Sequence, residues 1–315
     1  MIKAEFFYKN KILVAFYIVI ALFGIGQIVT PGFGTASSLV NILSLSSFLG
    51  IVTLGQMFVI LSGNGGIDLS VATLMSFGAV LAAKIMMGLD QNMPLAIIVV
   101  ALVGLGFGLL SGLGVTLLNI PPLIMTLAMA SVITGVSLVY TNGLPDGSAA
   151  PALMVLGQQR TLGLPNIFWL WIVIIAGVSI FLKYSRWATK LYGVGSNALA
   201  AELSGTSKNK TLIVAYALSG MVSMLAGLLY LGYTGTAYLT LGKSYLMPSI
   251  TSAVIGGVSL SGGEGNYGGA AMGAVVLTVL TALLTAMNIS EAQREIIFGL
   301  VLVVLLLVYA RKRSV

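Results

Sequence analysis

The chain has 315 residues, of which 58% are hydrophobic and only 7% charged, with a net charge of +7. Soluble domains carry roughly 25% charged residues, so most of this surface must face lipid. The absence of Cys and His excludes disulfides and thiolate metal sites and removes the commonest general base. The basic residues form no stripe, which argues against nucleic-acid binding. The composition therefore indicates a polytopic membrane protein.

Ten apolar segments are candidate membrane helices, each judged against the ~20 residues that a span requires. The eighth and tenth are short, so we predict an all-α polytopic membrane protein with eight to ten transmembrane helices. The candidates are 12–29, 39–62, 69–89, 94–118, 122–140, 166–183, 211–234, 248–262, 269–287 and 295–310.

The distribution of Lys and Arg predicts the orientation. With a cytoplasmic N-terminus and alternating spans, eleven of the 15 basic residues lie inside, as the positive-inside rule requires. Both termini are therefore expected in the cytoplasm. The longest cytoplasmic loop is then 184–210 and the longest outside loop is 141–165. Lys84, the one charge within a predicted span, is expected to reach water next to Asp90.

The acidic residues are placed in loops or at span edges by the same assignment. A transporter driven by protons or sodium usually keeps an ionisable group within the membrane. Ion coupling is therefore disfavoured. The residues concerned are Glu5, Asp68, Asp90, Asp146, Glu202, Glu264, Glu291 and Glu295.

Two glycine-rich breaks, 63–68 and 262–266, each precede an apolar helix on the cytoplasmic side. This likeness suggests an internal duplication of the inverted-repeat kind. Asp68 is expected to cap the following helix, with a gating or docking contact as the alternative. The candidate gating residues in these loops are Gly65, Gly66, Asp68, Ser70, Gly262 and Gly263.

The second break contains Leu260-Ser261-Gly262-Gly263, which resembles the signature loop of an ABC-type ATPase. A phosphate-binding P-loop would have to accompany it. The chain's one Gly-Lys-Ser starts at Gly242, and Ala237 stands where the upstream glycine is required. We therefore interpret the chain as unable to hydrolyse ATP and the likeness as accidental.

The segment 192–205 predicts a helix of roughly two turns outside the membrane. Ser196 or Asn197 can cap its start and Gly205 suits its end. A solvated connector and a docking element for a cytoplasmic partner are equally compatible with this pattern.

Three motifs resemble the ribose-type permeases of ABC sugar importers. They are GGIDLSVATLMSF at 65–77, YGVGSNALAAELSG at 192–205 and the glycine-rich stretch at 254–276, and YTNG at 140–143 also fits. The middle motif matches the family's Gly-x-Asn-x-x-Ala-Ala-x-x-Ser-Gly loop. The residues that the resemblance assigns to ATPase coupling are Gly195, Asn197, Ala200, Ala201, Glu202, Ser204 and Gly205.

The resemblance implies one permease subunit of a primary-active importer with the type II importer fold. Two permeases would form the pathway in a bacterial inner membrane, and a cytoplasmic ATPase would bind ATP and Mg. An extracytoplasmic binding protein would deliver the sugar. Two departures stand out: Ser62 to Asp68 carries two extra residues, and Ala72 replaces a usual Gly.

The expected cargo is a neutral monosaccharide such as ribose or a similar pentose or hexose. The same machinery serves a nucleoside, a signalling furanose or another small solute in the alternative interpretation. A stand-alone channel or secondary transporter is the second class of function, and a structural or enzymatic membrane protein is the third.

Polar side chains in or beside the spans are candidates for the translocation pathway, although each is equally suited to bonding a neighbouring helix. Met57 and Phe58 are candidates for an apolar gate, with core packing as the favoured interpretation. Gly104, Gly108 and Gly112 recur every four residues and predict a smooth face for close helix packing. The polar candidates are Asn41, Ser44, Gln56, Thr126, Ser131, Thr134 and Ser219.

Overall fold

The computed structural model describes residues 11–30 and 32–311. Within them the chain is predominantly helical, with almost no strand, which confirms the predicted all-α class. The helices are α1 (Lys11–Val29), α2 (Ala36–Leu61), α3 (Val71–Met86), α4 (Met93–Leu117), α5 (Pro122–Thr141), α6 (Pro151–Gln158), α7 (Asn166–Tyr184), α8 (Arg186–Ser196), α9 (Ala198–Leu203), α10 (Lys208–Thr234), α11 (Leu246–Ile255), α12 (Tyr267–Ala286) and α13 (Glu291–Arg311).

Six stretches of the described chain are long and apolar enough to cross a membrane: Ala36–Leu61, Asp90–Leu117, Pro122–Thr141, Asn166–Tyr184, Lys208–Thr234 and Tyr267–Ala286. Two shorter apolar helices, Leu13–Val29 and Val71–Met86, accompany them. Each of the ten predicted segments overlaps a helix. Lys3, Lys9, Lys312 and Arg313, which support the predicted orientation, lie outside the described residues.

The predicted segment 248–262 is helical only to Ile255. Gly256 and Gly257 follow, and Gly257 has a φ of +90°, a conformation that side chains disfavour. A ten-residue helix spans about 15 Å, so α11 is half the length of a membrane span. The remainder of the predicted segment is an ordered loop.

The helices α2, α10 and α12 form the centre of the bundle, while α4, α5 and α7 expose most of their apolar surface. The predicted glycine face of α4 packs against α10. A methyl group on Gly104 would lie 2.6 Å from the carbonyl oxygen of Gly220, and one on Gly108 would overlap that of Tyr216. Glycine is therefore what allows these two backbones to touch, as the spacing predicted.

The segment 141–165 contains structure that the sequence did not indicate. After α6, the strands β1 (Arg160–Thr161) and β2 (Leu164–Pro165) pair antiparallel, with Arg160 opposite Pro165. The predicted neighbour of Lys84 was wrong as well. Its amino group lies 3.7 Å from Asp146 and donates to the carbonyl oxygen of Tyr140. Asp90 accepts instead from the backbone N–H of Ala152.

Candidate functional site

The first glycine-rich break, residues 62–70, folds back into the bundle. Gly63, Asn64 and Gly65 are consecutive residues with positive φ, the region that glycine and asparagine tolerate best. A methyl group on Gly66 would lie 2.5 Å from the Val59 carbonyl oxygen. Asn64 and Gly65 are exposed, so the extra length in this motif protrudes from the loop.

Asp68 is fully buried at the inner end of this break. One carboxylate oxygen accepts from the backbone N–H and hydroxyl of Ser70, at 3.0 and 2.5 Å, and the other accepts from the hydroxyl of Ser219 at 2.8 Å. The capping predicted for Asp68 therefore involves only Ser70, the residue directly before α3. Ser219 lies in the middle of α10, so Asp68, although it lies in a loop as predicted, is buried against the central helix of the bundle.

Two other polar side chains, both predicted as pathway candidates, hold the same loop. With its amide oriented so that oxygen and nitrogen each meet a complementary group, Gln56 pairs with the backbone of Asp68, donating to its carbonyl oxygen at 3.0 Å and accepting from its N–H at 3.2 Å. The hydroxyl oxygen of Thr126 accepts from the N–H of Leu69 at 3.1 Å. The structure therefore brings Gln56, Thr126 and Ser219 together around residues 67–70.

The second break, residues 256–266, lies beside the first. Its hydrogen bond from the N–H of Ser259 to the carbonyl oxygen of Glu264 closes a tight loop. The side chain of Asn266 then accepts from Gly269 at 2.7 Å and caps α12. Tyr267 anchors this helix start by donating to the carbonyl oxygen of Gly50 at 2.9 Å.

The two breaks meet the end of α8 at a contact that we call the glycine junction, formed by Gly63, Gly195, Gly262 and Gly263. The N–H of Gly263 donates to the carbonyl oxygen of Leu61 at 3.0 Å. A methyl group on Gly195 would overlap that same oxygen, and one on Gly262 would overlap the Cα of Gly63. Three segments distant in sequence therefore make direct backbone contact here.

The helix α8 is an amphipathic helix that the sequence analysis missed. Its Tyr192 hydroxyl donates to the carbonyl oxygen of Gly265 at 2.8 Å, and burial raises the pKa of Tyr192, which keeps this donor protonated. The ring of Trp187 packs edge-on against Phe58, with 5.6 Å between centroids. Phe58 and Met57 are both buried, in line with core packing.

The predicted cytoplasmic helix is α9. The side chain of Asn197, rather than Ser196, caps it by accepting from Ala200 at 3.0 Å, and Gly205 follows it with a φ of +80°. Ala200, Glu202, Ser204 and Gly205 are exposed and Ala201 is half-buried.

Leu199 and Leu203 on the same helix were not predicted as functional residues, and they are 68% and 83% exposed. They are four residues apart and therefore share one helix face. Two exposed leucines on so short a helix were recognisable from this spacing alone.

The remaining pathway candidates lie apart from the junction. Ser44 is buried and donates to its own helix, and Ser131 and Thr134 are exposed on α5 with the same local bonding. Asn41 lies near the start of α2, where it accepts from the Tyr233 hydroxyl at 3.0 Å. No group of three or more Asp or Glu side chains in the described residues is placed to hold a metal ion.

Comparison with known proteins places these motifs in a family. Residues 38–306 match the family described as branched-chain amino acid transport system, permease component. The ribose import permease RbsC of Escherichia coli K12 is 31% identical over 309 residues, covering 97% of this chain and 94% of the relative.

Two further relatives extend this likeness. RbsC of Haemophilus influenzae is 32% identical over 297 residues, which cover 93% of this chain and 91% of the relative. The galactose/methyl galactoside import permease MglC of Escherichia coli K12 is 30% identical, with 90% of each chain covered. No solved structure matches the chain.

Proposed function

Because the chain belongs to the family of transport-system permease components, we propose that it forms the membrane pathway of an ATP-driven importer for a neutral monosaccharide. Relatives named as ribose and galactose import permeases make it a sugar-importing permease subunit of an ABC system. It is a multi-pass inner membrane protein with no known enzymatic activity in its family. Ribose or a similar pentose or hexose is the proposed cargo.

The proposed assembly contains two permease subunits, a cytoplasmic ATPase and an extracytoplasmic binding protein that hands over the sugar. The second permease is a copy of this chain or a related one. The chain lacks a P-loop, so ATP and Mg are assigned to the ATPase. In the proposed orientation both termini and the segment 184–210 face the cytoplasm, because most Lys and Arg residues then lie inside.

The glycine junction is the observation that carries this proposal. A partner seated on α9 would contact Leu199 and Leu203, and apolar side chains exposed in this way are typical of a protein interface. Between α9 and the bundle lies the backbone of Gly195, which contacts the backbone of Leu61 and Gly263 without intervening side chains. A displacement of α9 would therefore move both breaks and the helices α3 and α12 that follow them.

The docking role of α9 is tested with the double variant Ala200→Glu, Ala201→Glu. We expect the variant to insert normally but to lose both co-purification of the ATPase and ATP-driven sugar uptake. Leu144→Glu is the control, because Leu144 is 80% exposed and lies outside the segment 184–210. ATPase binding and uptake at the level of the unaltered chain in the double variant would remove the docking role.

A further inference from the structure

A cavity of about 650 Å³ lies at the end of the bundle opposite the glycine junction. Three helices connect the two places. Ser38 and Asn41 line the cavity near the start of α2, whereas Leu61 ends that helix at the junction. The helix α12 runs the other way, from the junction to the cavity, and α10 ends beside the cavity just beyond Tyr230. The volume falls within the range of roughly 300–1,000 Å³ that ligand pockets occupy.

One wall of the cavity is a stripe of hydroxyl groups on α12. Thr278, Thr281 and Thr285 line it, and their spacing of three and four residues places them on one helix face. The three hydroxyls donate to carbonyl oxygens of their own helix, at 2.8, 2.7 and 2.7 Å. Their donors are thus occupied, while each oxygen keeps capacity to accept from a ligand hydroxyl.

Planar polar side chains face the same space. The oxygen of the Asn41 amide accepts from Tyr233, and its nitrogen has no partner in the described part of the chain. Arg294 donates to the hydroxyl of Thr285, and the carboxylates of Glu291 and Glu295 make no ion pair among the described residues. Amide, guanidinium and carboxylate groups each present two atoms in a plane, which matches two adjacent hydroxyls of a sugar.

Most of the remaining lining is apolar and combines aromatic rings with aliphatic side chains such as Ile42, Leu45 and Leu49. Tyr230 and Tyr245 meet edge to face, with 5.5 Å between ring centroids, and Phe33 also lines the cavity. One face of a monosaccharide ring presents C–H groups, and these pack on an aromatic ring while the hydroxyls turn to polar partners. If lipid acyl chains filled the cavity instead, its hydroxyl and charged groups would have no hydrogen-bond partners, which costs free energy.

We infer that this cavity is a binding site for a neutral monosaccharide within the single permease chain. The inference rests on the proposed function and deepens it, because it places the sugar at the end of the bundle away from the proposed ATPase contact. Sugar leaving a binding protein would occupy the cavity before it enters the pathway that the two permeases form together. A lining that combines hydroxyl groups with apolar side chains suits a ligand that must be released again.

The absence of native cysteine permits a direct test by single-cysteine labelling. The Thr281→Cys variant is incorporated into vesicles with the partner ATPase and binding protein. The rate at which its cysteine reacts with a polar maleimide is then measured. D-ribose, D-xylose, L-arabinose, D-galactose and L-leucine are the probes. We expect any sugar that the vesicles accumulate to slow labelling of Thr281→Cys about tenfold or more, and L-leucine to have no effect. Labelling of Leu144→Cys should not respond to any probe.

A second variant reports on the polar partners. In the Thr281→Cys background, Asn41→Leu should raise the sugar concentration for half-protection about tenfold, the effect of losing one to two hydrogen bonds. Thr116→Val is the matched control, because the Thr116 hydroxyl also donates to its own helix at 2.7 Å but lies outside the cavity, and it should leave protection unchanged. Sugar uptake without protection of Thr281→Cys, or protection by L-leucine alone, would overturn the cavity site and leave the importer standing. Failure of every sugar to accumulate would overturn the proposed function.

Discussion

The carboxylate of Asp68 accepts a hydrogen bond from the hydroxyl of Ser219 at 2.8 Å, although the two residues are 151 positions apart in sequence. Asp68 has two further donors, both on Ser70, and it forms no ion pair in the described part of the chain. A buried carboxylate without a cation depends on such donors. This bond therefore fastens the first glycine-rich break to the central helix α10.

Loss of this bond should destabilise the protein. In Ser219→Ala one carboxylate oxygen of Asp68 keeps no partner, and an unsatisfied buried group costs about 1–3 kcal/mol, more where it is charged. We expect a lower thermal unfolding temperature of the purified protein in detergent. Ser223→Ala is the control on the same helix, because its hydroxyl only donates to the Ser219 carbonyl oxygen. Equal melting temperatures of the two variants would contradict an anchoring role for Ser219.

The glycine junction should tolerate no side chain at Gly195. A methyl group there overlaps the carbonyl oxygen of Leu61 and forces α8 away from both breaks. We expect Gly195→Ala to reduce initial sugar uptake about tenfold or more at equal membrane abundance. Gly193→Ala, two residues earlier in α8, meets nothing within 4 Å and should transport normally. Normal uptake by Gly195→Ala would show that close contact at the junction is dispensable.

The glycine face between α4 and α10 yields a prediction about stability. Gly108→Ala places a methyl group on the carbonyl oxygen of Tyr216, and overpacking of this kind costs about 1–3 kcal/mol. Gly106→Ala, on the opposite face of α4, has open space around it. The thermal unfolding temperature in detergent should therefore fall in Gly108→Ala and stay unchanged in Gly106→Ala. A pair of identical unfolding curves would refute close packing of these helices.

The ion pair between Lys84 and Asp146 should matter little. The side chains are 31% and 56% exposed, and exposed pairs contribute about 0–1 kcal/mol. We expect Lys84→Met to retain nearly full sugar uptake and an unfolding temperature close to that of the unaltered chain. A severe transport defect at normal stability would assign Lys84 a direct part in transport.

Features encoded over a few residues were predicted well from the sequence. Asn197 has the side chain that caps a helix, and α9 begins directly after it. The spacing of Gly104, Gly108 and Gly112 indicated close packing because it follows the period of the helix. The apolar segments likewise located the long helices, since lipid imposes both their length and their composition.

Features that depend on distant segments were not predicted. Asp68 lies in a loop by sequence, and its burial depends on Ser219 and Gln56, which only the folded bundle brings near. The sequence showed the two breaks as similar but gave no means of telling that Gly63 and Gly262 touch. The end of α11 at Ile255 was missed because the apolar residues continue past the glycines that break the helix.

The most direct test of the account is sugar uptake by vesicles that contain this chain with its partner permease and binding protein, with and without the ATPase. We expect radiolabelled sugar to accumulate only when the ATPase, ATP and Mg are all present, and the purified chain alone to hydrolyse no ATP. Accumulation of the sugar in vesicles that lack the ATPase would contradict this expectation.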